Sequence, residues 1–205
     1  MHTKYSVSFV FRPLLPTNHQ LKDIDKMKAR WILILAIFFT VGCGSQEPTI
    51  DIWKAVSTGN INEVQKHIAV KTDLNEKEPL GGGTLLMTSV VINNIEVAKL
   101  LIKNGADLEA KNNDGSNALM TAVFFCHPDI VTLLLDNGAQ VNSKNKNGQT
   151  SMDVVAGEWS KDLEGIYKLV GGLLKMQIDL ERVKKVRPNV AAILIKHGGK
   201  ISSAL

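Results

Sequence analysis

Gly82–Asp114 reads GGTLLMTSVVINNIEVAKLLIKNGADLEAKNND, and Gly115–Asn147 reads GSNALMTAVFFCHPDIVTLLLDNGAQVNSKNKN. The two segments align without a gap at an offset of 33 residues. Gly82 falls on Gly115, Leu86 on Leu119, Val97 on Ile130, Leu100–Leu101 on Leu133–Leu134, and Asn104–Gly105 on Asn137–Gly138. A fixed period between about 20 and 50 residues marks a chain built of stacked units. The composition of one unit says what is stacked. Leu86, Ser89 and Val90 lie three and four apart and give a short first helix one buried face. Val97, Leu100 and Leu101 do the same for a second helix, and Ile130, Leu133 and Leu134 repeat it. Asn–Gly after each second helix is a stop signal, because Gly accepts the left-handed conformation that closes a helix. The polar runs Glu109–Asp114 and Asn142–Asn147 read as exposed turns. A lone helix pair cannot bury both of its faces, so such units occur in series.

The period, the paired helices and the Asn–Gly stops resemble the ankyrin repeat family. The resemblance implies an all-α solenoid of helix-turn-helix repeats, here at about 50–81, 82–114, 115–147 and 148–201. Ile50–Ala69 supplies the first, capping repeat. Ile52, Trp53 and Val56 form one apolar face, Ile61, Val64 and Ile68 another, and Thr58–Gly59–Asn60 the break between them. Trp53 reads as a core anchor, and His67, in the place of Leu100, as a helix-face histidine. The family's Thr-Pro-Leu-His start is replaced by Thr84–Met87, Asn117–Met120 and Thr150–Asp153, none with Pro or His. The family's Thr–His hydrogen bond therefore does not carry over, and a moderately stable domain is expected.

The last repeat is interrupted. Gly148–Gln149–Thr150 opens it, but its second half, RPNVAAILIKHGGKI at Arg187–Ile201, arrives about 27 residues late against HPDIVTLLLDNGAQV at His127–Val141. The insert, about 158–186, is itself helical in pattern. One stripe runs through Leu163, Ile166/Tyr167, Val170 and Leu173/Leu174, and another through Leu180, Val183 and Val186. Asp162 and Asp179 read as N-caps, and Pro188 as the start of the repeat's second helix. Gly171–Gly172 either bends the first insert helix or permits close packing. Trp159 and Tyr167 are its expected anchors. The basic run Arg182, Lys184, Lys185, Arg187 is read as a solvated face, with anionic lipid as the alternative.

Family binding surfaces lie on the turn tips and at the exposed end of the first helix. Carried over by position, the helix ends are Val91, Ile92, Phe124 and Phe125, and the tips are Asn113, Asp114, Ser116, Lys146, Asn147 and Gln149. Large apolar groups at the helix ends make either a groove for a protein partner or a patch covered by the insert. The first alternative is a protein-binding module. The second is a structural or accessory factor, serving the maturation or stability of an exported enzyme.

The net charge of +4 is unevenly placed. Six Lys/Arg stand against two Asp/Glu before Cys43, and eighteen against eighteen from Cys43 onward. A neutral repeat region excludes a generic nucleic-acid binder, which needs a basic stripe. Met27–Cys43, MKARWILILAIFFTVGC, has a positive start and an apolar run, Trp31–Val41, shorter than the roughly 20 residues of a spanning helix. This is the pattern of a secretory signal at 27–42. Thr40–Val41–Gly42–Cys43 resembles the bacterial lipoprotein cleavage box, with Thr40 where that family has Leu. The resemblance implies a lipidated Cys43, a tether at 43–49 and a membrane-anchored protein of the bacterial envelope facing the periplasm. Gly44 and Ser45 carry no acidic retention signal, which favours the outer membrane. Residues 1–26 match nothing in the repeats and read as a mis-assigned start before Met27 or as a disordered leader. With Cys43 acylated, Cys126 has no partner for a disulfide. It occupies a position where the family has Gly and reads as a small buried residue.

No catalytic set is legible, and no cofactor or metal is expected. The histidines lack zinc spacing. Gly81–Gly82–Gly83 lacks the Lys-Ser/Thr of a phosphate loop. Ser143-x-x-Lys146 lies in a polar turn without the companion motifs of the hydrolases that use it.

Overall fold

The computed structural model describes residues 47–205. The leader, the signal segment and Cys43 lie outside the described residues. From residue 47 onward the chain is helical, with one isolated bridge between Lys77 and Thr84.

Four helix pairs follow one another. They are α1 (Ile52–Ser57) with α2 (Ile61–Ala69), α3 (Leu85–Val91) with α4 (Ile95–Lys103), α5 (Ala118–Phe124) with α6 (Pro128–Asp136), and α7 (Ser151–Ala156) with α9 (Leu180–Lys196). Between α7 and α9 stands α8 (Lys161–Leu174). The first helices stack in one row, α1 on α3 on α5 on α7, and α2, α4, α6 and α9 stack in a second. The core runs continuously between the rows. Val56, Val64, Leu85, Leu86, Val97, Leu101, Leu119, Val123, Ile130, Leu134 and Leu194 are all fully buried.

Each short helix begins where the sequence supplies an acceptor. Thr84, Asn117 and Thr150, one per repeat, accept from the backbone N–H of Met87, Met120 and Asp153. Asn60 and Asn94 do the same for α2 and α4. Such caps satisfy N–H groups that have no partner within the helix. They replace the missing Thr-Pro-Leu-His. In the last repeat, Asp153 stands in the place of the family's His and bonds Thr150 at both its backbone N–H and its hydroxyl, at 2.7 and 2.9 Å. Each second helix ends in a residue of positive φ. Gly105, Gly138 and Gly198 fill that position at +94°, +92° and +81°, but the first repeat holds Lys71 there at +59°.

The turns between repeats are bonded to one another in register. The third residue of each Asp-Leu-Asn-type turn reaches the next repeat's backbone. Asn75 accepts from Asp107 N at 2.8 Å, Glu109 from Gln140 N at 2.7 Å, and Asn142 from Lys200 N at 2.8 Å. A lysine row runs alongside it. Lys77 Nζ donates to the Lys111 carbonyl at 2.6 Å, and Lys111 Nζ to that of Lys144 at 2.8 Å.

The insert departs from expectation in one respect. Its second helix and the second helix of the last repeat are continuous, so Pro188 lies inside α9 and does not open a helix of its own. The residues before Pro188 already stand in a helix capped by Asp179, and a proline can continue the helical φ it is given. The first insert helix is capped by Ser160, with Asp162 inside its first turn; Asp162 is therefore not the cap. Ser160 is one residue before the helix, where a side-chain oxygen reaches the N–H of Leu163 at 3.1 Å. Gly171 permits close packing: a Cβ there would meet the Met176 carbonyl at 2.9 Å.

Candidate functional site

The helix ends and turn tips carried over from the family separate into two environments. Phe124 and Phe125 end α5, and α8 lies against them. Tyr167, fully buried, stacks on Phe124 with ring centroids 4.5 Å apart and donates its hydroxyl to the Phe124 carbonyl at 2.7 Å. Burial pushes the Tyr167 phenol up to about 12. Trp159 stacks on the far side of Tyr167 at 5.8 Å, held by a hydrogen bond from its indole N–H to Glu164 at 2.8 Å. Phe125 packs edge-on to Phe124 and is itself buried. The expectation that Phe125 lines an open surface is therefore corrected, and Phe124 is only partly exposed beneath Tyr167. The physical reason is the insert. A large apolar pair at a helix end lowers the free energy most when another apolar group covers it, and Tyr167 supplies that group. Of the helix-end set, Ile92 stays exposed and Val91 half-buried.

Two arginines of the basic run turn inward as well. Arg182 donates to the carbonyls of Phe125 and Cys126, each at 2.9 Å. Arg187, buried, donates to those of Val155 and Gly157, each at 3.0 Å. Both guanidinium groups thus sit where helices α5 and α7 end, and a cation there offsets the negative pole and the free carbonyls. The reading of the whole run as a solvated face holds for Lys184 and Lys185, which are exposed, and fails for Arg182 and Arg187.

His127 caps α6 without a side-chain hydrogen bond, and neither ring nitrogen has a partner. It stacks on Phe125 at 6.0 Å. Burial, aided by the charge of Arg182, lowers it to about 4; the Val91 carbonyl opposes this but falls short of hydrogen-bonding geometry. His127 is a neutral wedge between the stack and the insert. Cys126 beside it is fully buried at φ +51°, and burial pushes its thiol up. It is the small buried residue expected. Its backbone adopts the conformation that Gly59 takes in the first repeat.

The turn tips stay outside. Asn113, Asp114, Lys146, Asn147 and Gln149 are exposed and Ser116 is half-buried. Their backbones are tied: Asn113 N donates to the Gly81 carbonyl at 2.8 Å and Lys146 N to the Asp114 carbonyl at 3.0 Å. Asn113 also donates its amide to the Leu80 carbonyl at 2.9 Å. Asn145 holds the N–H groups of Asn147 and Gln149, at 3.0 and 2.9 Å. The Asp114, Lys146 and Asn147 side chains extend from this fixed backbone without hydrogen bonds of their own among the described residues. The triple glycine is no phosphate cradle. Glu78 accepts from the N–H of Leu80 at 2.9 Å and also from that of Gly81, and these bonds hold its carboxyl below the ordinary range.

His67 is a packing residue. Its Nε2 meets the Ile50 carbonyl at 2.7 Å and its Nδ1 the Thr72 hydroxyl at 3.1 Å. Among the described residues no three His, Cys, Asp or Glu side chains group as metal ligands, and no helix is long and apolar enough to cross a membrane.

A comparison with protein families agrees with this geometry. The family described as ankyrin repeats, in three copies, matches residues 52–145. The chain is an ankyrin-repeat protein. The match ends before the interrupted repeat, whose ankyrin character rests on the stacking of α7 and α9 on α5 and α6. No curated protein matches the sequence. Ankyrin repeats are protein–protein interaction modules, typically without catalytic activity.

Proposed function

We propose that this ankyrin-repeat chain binds a protein partner through its turn tips while Cys43 tethers it to a bacterial envelope membrane, outer in preference to inner. The observation that supports this reading is the tip row. Asp114, Lys146 and Asn147 project from turns whose backbones are cross-bonded between repeats. A polar, pre-organised row loses little entropy when a partner docks. With Phe125 buried and Phe124 partly covered, the tips carry the recognition and the helix ends contribute only Val91 and Ile92. The test is crosslinking from envelope membranes with wild type and an Asp114→Lys/Lys146→Glu variant. Loss of the wild-type crosslink in the variant, with circular dichroism unchanged, is the expected result; an identical crosslink in both overturns the tip assignment. The tether is tested separately. Intact mass of membrane-bound protein is expected to give a chain beginning at acylated Cys43, and Cys43→Ser a soluble one. An uncleaved chain in the membrane overturns the tether.

The stacking of Tyr167 on Phe124 favours a second reading, an accessory or stabilising role for an exported enzyme. In that reading α8 is a permanent cover and the stack acts as a scaffold. An enzyme whose exported yield falls on deletion of this chain, but not on the tip substitutions, supports it.

A further inference from the structure

Helix α8 is apolar on two opposite sides. One side, Leu163, Tyr167, Val170 and Gly171, faces the stack. At 100° per residue, Ile166, Leu169 and Leu173 fall on the other side, where they are 49%, 65% and 74% exposed. A helix apolar all round is ordinarily enclosed on every side, yet nothing in the described residues covers this stripe. Its setting is specific. Lys161 and Lys168 lie one heptad apart along one edge, and Lys175 follows where the helix ends, all three exposed. Gly165 and Gly172 flank Leu169 and add no bulk. Lys184 and Lys185 on α9 add two further exposed cations. The one acid on the stripe, Asp162, stands at its N-terminal end.

We infer that the outward face of α8 lies on an anionic phospholipid surface. An apolar stripe edged by lysines is the arrangement that settles in the headgroup layer. The aliphatic residues enter the acyl boundary, and the lysine stems run along it while their ammonium groups meet phosphate. The row of cations selects the occupant: a neutral bilayer or an apolar protein groove would leave it without counter-charge. A stripe of this length is a single weak membrane signal, and such signals act in pairs. The inference does not rest on the acylated cysteine of the proposed function, although the two together would hold the chain flat and near the membrane.

The test uses the full chain with Cys43→Ser, so that no lipid is attached, and Leu169→Cys carrying an environment-sensitive nitrobenzoxadiazole label. Cys126 is fully buried and takes no label in the folded protein. A second sample carries the label at Leu80, which is 90% exposed in the turn before α3. With vesicles of phosphatidylethanolamine and phosphatidylglycerol, the label at 169 is expected to shift to the blue, and the label at 80 to stay aqueous. Lys161→Gln/Lys168→Gln/Lys175→Gln is expected to weaken partitioning roughly a hundredfold, with helicity unchanged. An unshifted label at 169 overturns the proposal, as does an equal response to phosphatidylcholine vesicles. A shift that grows with protein concentration in the absence of lipid assigns the stripe to a second copy of the chain and overturns it too. Equal shifts at 169 and 80 assign membrane contact to the apolar segment Trp31–Val41, with the same consequence.

Discussion

Replacing Tyr167 tests whether α8 is part of the folded unit or an attachment to it. The side chain is fully buried, stacked between Phe124 and Trp159, and bonded to the Phe124 carbonyl. Tyr167→Phe keeps the rings and removes the hydrogen bond, which should destabilise the protein by about 1 kcal/mol. Tyr167→Ala removes the ring as well and leaves a hole where α8 meets α5; substitutions of that kind cost about 3–5 kcal/mol. Against a total stability of about 5–15 kcal/mol, the second change is large enough to shift the whole transition. The assay is urea unfolding in a Trp31→Phe/Trp53→Phe background, which leaves Trp159 as the only fluorophore of its kind. Far-ultraviolet circular dichroism reports the stack, and Trp159 emission reports the insert. The two transitions should coincide in the parent and move together in both variants. A loss under about 1.5 kcal/mol for Tyr167→Ala, or a Trp159 transition at lower urea with helicity intact, refutes the docking argument.

Three further perturbations have signs worked out from the structure. His127 titrates near 4 when folded, against an ordinary 6.5. Between those values the unfolded chain takes up a proton that the folded chain refuses, so stability falls as pH drops from 6.5 to 4, and this contribution is flat outside that window. Discounted for partial solvent screening, the loss is on the order of 2 kcal/mol; His127→Asn should flatten that stretch of a thermal-denaturation pH series and supply the cap that Asn60 and Asn94 give their helices. Glu63 acts in a lower window. The hydrogen bond from Lys66 and the N–H of Thr49 hold it at about 2, so its stabilising contribution disappears as pH falls from 4.5 toward 2, and Glu63→Gln should remove that acid-side slope. Lys71→Gly, at the one helix stop where a side chain endures φ +59°, should raise stability by about 1 kcal/mol in denaturant titration. Leu134→Ala, fully buried between the rows, should lower it by roughly 2–5 kcal/mol.

The repeats were legible because their signals are local and recur. A 33-residue offset, helix faces spaced by three and four, and Asn–Gly stops each depend on a few neighbouring residues. So did the anchors of the insert, Trp159 and Tyr167, since large aromatics in a helical stripe need a surface to cover. Three other features were not legible. That α9 runs unbroken through Pro188 depends on the preceding turn being helical already, whereas the match to Pro128 pointed to a helix start. That Arg182 and Arg187 turn inward depends on which helix ends α9 passes, a tertiary fact with no counterpart in charge spacing. And Phe125 lost its exposed position to a helix that sits between 36 and 49 residues further along the chain. The tip residues, fixed by their own turn, fell where the family resemblance put them.

The unbroken α9 alters how the array comes apart. In a simple repeat stack each unit holds only its neighbour, and the terminal units fray first. Here a single rod carries both the last repeat's outer helix and the Arg182 clasp on the end of α5. Melting the C-terminal repeat must therefore release a grip on the third repeat at the same moment, and the two yield as one block. The first repeat has no such brace and carries the strained Lys71 stop. Amide exchange should accordingly spread inward from the N-terminal end, the end from which the chain leads back toward Cys43, while the C-terminal half behaves as an anchor stone for the rest.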